Sequence, residues 1–83
     1  NGISVVIVSF NAPQFLHLCL ESVSAALKGM EGEIIVVDNA STGECVSMIR
    51  SDFPEVRLIV NKENAGFSRA SNQGAKVARG RYL

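Results

Sequence analysis

Three short polar segments carry the residues whose types and spacing suit chemistry. Ser9-Phe10-Asn11 closes one β-branched run, Asp38-Asn39-Ala40-Ser41 closes a second, and Asn61 through Gly66 follows a third. Asp38 is the most informative of them. A carboxylate at a strand end accepts hydrogen bonds from a ribose hydroxyl or a base imide N–H, and its charge makes those bonds stronger and more selective than a neutral acceptor would. The same carboxylate also suits a cap on the turn before a short helix. Asn39 and Ser41 are turn formers, which structure alone explains.

A fourth stretch is unusual for a helix. Gly66, Ser68, Ser71, Asn72 and Gly74 are poor helix-interior residues, yet Phe67, Ala70, Gly74, Val77 and Ala78 recur at helical spacing. Small residues allow close backbone approach to a sheet or a ligand. Gly66, near the helix start, leaves backbone N–H groups to face an anion. Arg69 either reaches a phosphate or base or belongs to a solvated face. Asn72 either bonds back to the loop after the first strand or meets the ligand.

Other chemistries lack their residues. No G-x-G-x-x-G follows the first apolar run and no G-x-x-x-x-G-K-[ST] occurs, which removes the dinucleotide fingerprint and the P-loop. A receiver domain wants an acidic pair after the first strand and an Asp after the third, where Ser9 and Asn61 stand. His17, the single histidine, falls in a helical pattern away from the strand ends, and Glu21, Glu31 and Glu33 are poorly placed for catalysis. Cys19 and Cys45 lack a partner motif and read as small hydrophobes, which fits a reducing compartment. Eight Lys and Arg balance eight Asp and Glu, so no basic field draws in nucleic acid. The apolar runs are strand-sized, far below the ~20 residues of a membrane span. The first residues do not read as a signal peptide.

The elements that must position these segments alternate. Ile3–Ser9 is nearly continuous in β-branched residues, as in a parallel strand covered on both faces. Pro13 opens a helix with Asn11 nearby as a cap, and Phe15, Leu16, Cys19, Leu20, Val23, Ala26 and Leu27 define its apolar face before Gly29 and Gly32 end it. Glu33–Val37 is a second strand, broken at Asp38. A short helix follows over Glu44–Arg50 with Val46 and Ile49 inward, then a third strand over Val56–Val60, a third helix from Phe67, and a fourth strand beginning at Arg81-Tyr82-Leu83. The order β-α-β-α-β-α-β predicts one incomplete Rossmann-like α/β domain over 1–83, with a parallel sheet, helices on both faces and right-handed crossovers. Ligands of such sheets bind beyond the carboxyl ends of the strands, where the polar segments fall.

Ser4–Asn11, Ile35–Ser41, Asn61–Gly74 and Gly80–Leu83, in this order and spacing, resemble family 2 glycosyltransferases of the GT-A fold. Asn-x-Gly-Phe at 64–67 and Ala-x-Asn-x-Gly at 70–74 resemble its rhamnosyltransferase-like branch in bacterial polysaccharide synthesis. The resemblance implies strand order 3-2-1-4 and transfer of a sugar from a UDP- or dTDP-sugar to an acceptor hydroxyl on a glycan or lipid-linked sugar. It implies that Ser9 lines the base pocket and Asp38 hydrogen-bonds the pyrimidine. With the rim residues, the expected donor-nucleotide set is Ser9, Phe10, Asn11, Asp38, Asn39, Ser41, Gly66, Phe67, Arg69 and Asn72. Many members carry Arg directly before the helix Asn, where this chain has Ser71.

The family's Asp-x-Asp motif, which holds Mg²⁺ or Mn²⁺ against the diphosphate, is expected after the fourth strand, beyond Leu83. Asp38 and Asp52 are the only aspartates in these 83 residues. The expectation is therefore a donor half-site that binds no metal and is inactive alone. The resemblance also implies a cytoplasmic protein, peripheral to the membrane's inner face. Two competing readings stand beside it. One is a non-catalytic interaction module, self-associating through an open sheet edge. The other is a nucleotidyltransferase, whose Gly-rich, Arg-containing loop Ser9–Pro13 does not resemble.

Overall fold

The computed structural model describes residues 2–39, 43–63, 66–78 and 81–82. The chain runs β1 (Ile3–Ser9), α1 (Pro13–Leu27), β2 (Gly32–Asn39), α2 (Gly43–Asp52), β3 (Arg57–Asn61), α3 (Phe67–Val77) and β4 (Arg81–Tyr82). All pairings are parallel and the strand order is β3-β2-β1-β4, the order expected from the resemblance.

Side-chain alternation sorts the sheet into two faces. Ile34 and Val36 of β2 enter one core with Leu16 and Leu20 of α1 and Cys45, Ile49 and Phe53 of the α2 segment. Ile35 and Val37 point the other way, toward α3, where Ala70 is fully buried. Burying Leu20, Ile35, Val36, Val37 and Ile49 contributes roughly 1.5–3 kcal/mol each. Gly74 lets α3 lie close to the sheet. A Cβ there would collide with Val6 Cγ1 and stand 3.2 Å from Val6 Cγ2.

Several elements depart from the sequence expectation. β2 is covered on both faces, as its apolar run suggests, but β1 is not. Ile34 through Asn39 are all buried, whereas Val5–Val8 are half-buried. Among the described residues, β4 pairs with β1 at Ile3 and Ser4. β2 also does not break at Asp38, because ladder pairs to both neighbours hold Asp38 and Asn39 in the strand. Asn11 does not cap α1. It takes a positive φ of 48°, and Ala12 stands at the cap without a side-chain bond. Phe15, expected on the apolar face, is 65% exposed, and Ala26 is exposed. The inward seam of α1 runs through Leu16, Leu20, Val23 and Leu27. In α2 the inward residues are Cys45 and Ile49, with Val46 only half-buried. Of the two thiols, Cys45 is the core one and Cys19 is half-buried.

No helix of the described residues is long and apolar enough to cross a membrane. His17 ties α1 to α2. Its Nδ1 lies 3.3 Å from Glu21 Oε1, its Nε2 3.2 Å from Asp52 Oδ2, and its ring meets Phe53 edge-on with centroids 5.1 Å apart.

Candidate donor-nucleotide site

Three strand ends meet at one rim of the sheet. In register, Ser9 stands opposite Asp38 and Asp38 opposite Val60, while Asn39 stands opposite Asn61. The polar groups at this rim are deeply set: Ser9 is 6% exposed, Asp38 0% and Asn39 3%.

Alternation divides them. Asp38 has the parity of Ile34 and Val36, so Ser9 and Asp38 belong to the face covered by α1 and α2. Asn39 has the parity of Ile35 and Val37 and belongs to the α3 face. Ser9 Oγ is buried and makes no hydrogen bond. A hydroxyl in that state costs about 1–3 kcal/mol until something satisfies it. Ser9 lines a cleft of about 340 Å³ whose walls include Ile7, Phe10, Phe15 and Cys19. Phe10 is 51% exposed, so an apolar ring and an unsatisfied hydroxyl share this end of β1.

On the α3 face the rim is built of amides. Asn39 Nδ2 donates to the Gly66 carbonyl at 3.4 Å, and Asn61 Nδ2 donates to Asn39 Oδ1 at 3.3 Å. Asn61 and Gln73 exchange two bonds: Asn61 Nδ2 donates to Gln73 Oε1 at 2.9 Å, and Gln73 Nε2 donates to Asn61 Oδ1 at 3.0 Å. Gly66 has φ of 82°, and its carbonyl also accepts the first bond of α3, from Ala70 N–H at 3.1 Å. Arg69 and Asn72 are exposed on α3 and, with Lys76, border a shallow cleft of about 480 Å³.

The structure thus brings Ser9, Phe10, Asp38, Asn39 and Gly66 to one rim and sets Arg69 and Asn72 on the exposed side of α3. Asn11 is exposed beside Phe10. The Ser41 assignment lies outside the described residues, as does the side chain of Phe67. Gln73 was missed by sequence reasoning, and Asn61, expected in the polar rim segment, was not expected to end β3. Asn61 falls in a segment that reads as loop, and Gln73 reads as one more polar helix residue. The available signal was helical spacing, since Gln73 lies three positions after buried Ala70 and beside Gly74. At the opposite rim, Glu33 accepts from Ser4 Oγ at 2.7 Å and from Arg57 Nη1 at 3.3 Å, a structural clamp rather than a catalytic acid.

Residues 4–83 match the family described as Glycosyl transferase family 2. The chain belongs to glycosyl transferase family 2. It is 34% identical over 87 residues to the uncharacterized glycosyltransferase YibD of Escherichia coli K12, covering 100% of this chain and 24% of that protein. Among solved structures it resembles the mannosyltransferase PcManGT of Pyrobaculum calidifontis, determined with GDP-Man and Mn²⁺, with a TM-score of 0.73 and 23% identity over 92% of this chain and 24% of that one. It also resembles S. aureus TarS 1-349, with a TM-score of 0.77 and 21% identity over 100% of this chain and 27% of that one. The fold is that of the GT-A glycosyltransferases. This family 2 chain spans about a quarter of the length of the curated relatives it matches. Among its described residues no group of three or more His, Cys, Asp or Glu is arranged to hold a metal ion.

Proposed function

We propose that this chain forms the nucleoside-binding part of a glycosyltransferase whose donor is a UDP- or dTDP-sugar and whose acceptor is a hydroxyl of a glycan or lipid-linked sugar. One observation carries the reading: Ser9, Asp38 and Asn39 are buried polar groups set in register at the carboxyl rim of three parallel strands. A buried hydroxyl without a hydrogen bond is costly, as Ser9 Oγ is here, and a base with imide and carbonyl groups supplies a partner for it. The apolar ring of Phe10 beside Ser9 suits the face of such a base.

Arg69 and the start of α3 at Gly66 offer positive charge and N–H groups to the diphosphate. The described residues do not fit a divalent ion. The Mg²⁺ or Mn²⁺ of the full enzyme would take its ligands, and the reaction its general base, from the part of the relatives' length that this chain does not span. The rhamnosyltransferase-like assignment, the role in polysaccharide synthesis and the cytoplasmic location rest on the same resemblance of motifs.

Isothermal titration of the purified protein with UDP, dTDP and GDP tests the reading. Saturable binding of UDP or dTDP, weakened by Asp38→Asn, is the expected result. Absence of binding by all three nucleotides overturns it.

A further inference from the structure

Two large apolar residues of α1 stay in water: Phe15 and Leu18 are each 65% exposed. Burial of side chains this size is a main source of stability, and the fold forgoes most of it at both positions. Of the two, Phe15 lines the cleft that holds Ser9 and Phe10, and Leu18 does not. Their places on the helix explain the difference. Phe15 is in the first turn of α1, which begins at Pro13. The Cα–Cβ bonds of a helix tilt toward its N-terminus, so a side chain in the first turn leans past the helix start. The chain reaches that start from Ser9 and Phe10 through Asn11, where a φ of 48° turns it. Phe15 thus leans back toward the end of β1, and Leu18 stands almost a turn further away.

The cleft of about 340 Å³ therefore has two exposed rings in its walls, Phe10 and Phe15, and one polar point, the buried and unbonded Ser9 Oγ. Apolar and aromatic walls with few polar groups are the usual make-up of a small-ligand site. This set fits a flat ligand that lays its face on aromatic carbon and turns a polar edge inward. A pyrimidine base has that form. A diphosphate, charged on every side, does not.

We propose that Phe15 is a base-contact residue of the donor site, a second ring that with Phe10 holds the pyrimidine against Ser9. The inference rests on the nucleotide-binding reading above and extends that site from the strand rim onto α1. It gives the exposed ring of Phe15 a use that packing within the fold does not.

Leu18 supplies the internal control, with equal exposure on the same helix but outside the cleft. UDP affinity is measured by titration calorimetry for the purified wild type, Phe15→Ala, Phe15→Tyr and Leu18→Ala. Melting temperature and sedimentation are measured on the same samples. Loss of a stacking ring predicts about ten-fold weaker UDP binding in Phe15→Ala. Phe15→Tyr, which keeps the ring, and Leu18→Ala should both stay within about two-fold of the wild type. Melting temperatures should be alike, because an exposed ring contributes little to packing. Wild-type affinity in Phe15→Ala overturns the proposal, as does an equal loss in Leu18→Ala or in Phe15→Tyr. A marked fall in melting temperature for Phe15→Ala assigns the ring to packing and also overturns it. So does a wild-type oligomer that dissociates in Phe15→Ala, which assigns the ring to a contact between copies. A wild type that binds none of UDP, dTDP and GDP sinks the nucleotide-binding reading and this role together. A wild type that binds UDP no better than Phe15→Ala sinks this role alone.

Discussion

Ser9 and Asp38 face each other in register at the ends of β1 and β2, both buried, and Ser9 Oγ makes no hydrogen bond there. This arrangement separates what the fold needs from what a ligand needs. Ser9→Ala removes a hydroxyl that contributes nothing to the protein's own bonding, so unfolding free energy by urea titration should stay level or rise. Affinity for UDP or dTDP should fall about five-fold, the value of one hydrogen bond. A clear loss of stability would mean that the hydroxyl is already used within the fold.

Asp38→Asn keeps the shape of the side chain and removes its charge. Charge-assisted bonds are about twice as strong as neutral ones, so nucleotide affinity should fall on the order of ten-fold or more. Calorimetry on the variant checks this. Unchanged affinity would leave Asp38 as a support for the turn before α2.

Gly74 is required by packing rather than by backbone conformation. Gly74→Ala drives a methyl into Val6 and should destabilise by about 1–3 kcal/mol, the usual cost of overpacking. Val6→Ala opens the space. The double variant should therefore be more stable than the sum of the two single losses implies, which denaturant titration of the full cycle measures.

How far the sequence disclosed these relationships depends on their range. Element order and the collection of polar segments at one rim follow from alternation of strand-like and helix-like runs and from parallel topology. The end of β2 was hidden because Asp38 and Asn39 have turn propensity, and only pairing on both sides overrides it. The division of Asp38 and Asn39 between faces was hidden too. Alternation gives parity, but not which helix covers which face. The amide chain joins Asn39 to Asn61 across 22 positions and Asn61 to Gln73 across 12. No local pattern announces such contacts. Phe15 shows the opposite failure, since it matched the helical period and still lies outside the seam.

The two thiols should differ in reactivity. Cys45 is fully buried and Cys19 half-buried. Under native conditions a thiol reagent should modify Cys19 first, and Cys45 only as fast as the protein opens. Cys45→Ser places a hydroxyl in the core and should cost about 1–3 kcal/mol. Timed labelling with mass spectrometry and urea titration check the two statements.

The Glu33–Arg57 clamp, which also holds the Ser4 hydroxyl, lies at the rim away from the amides. One end of the sheet carries a pair of opposite charges, which dissolved salt weakens, and the α3 side of the other carries bonds between uncharged amides, which it hardly touches. Ionic strength is therefore a one-sided handle on this molecule. Raising it should weaken the Glu33–Arg57 pair and leave the amide bonds at the other end in place.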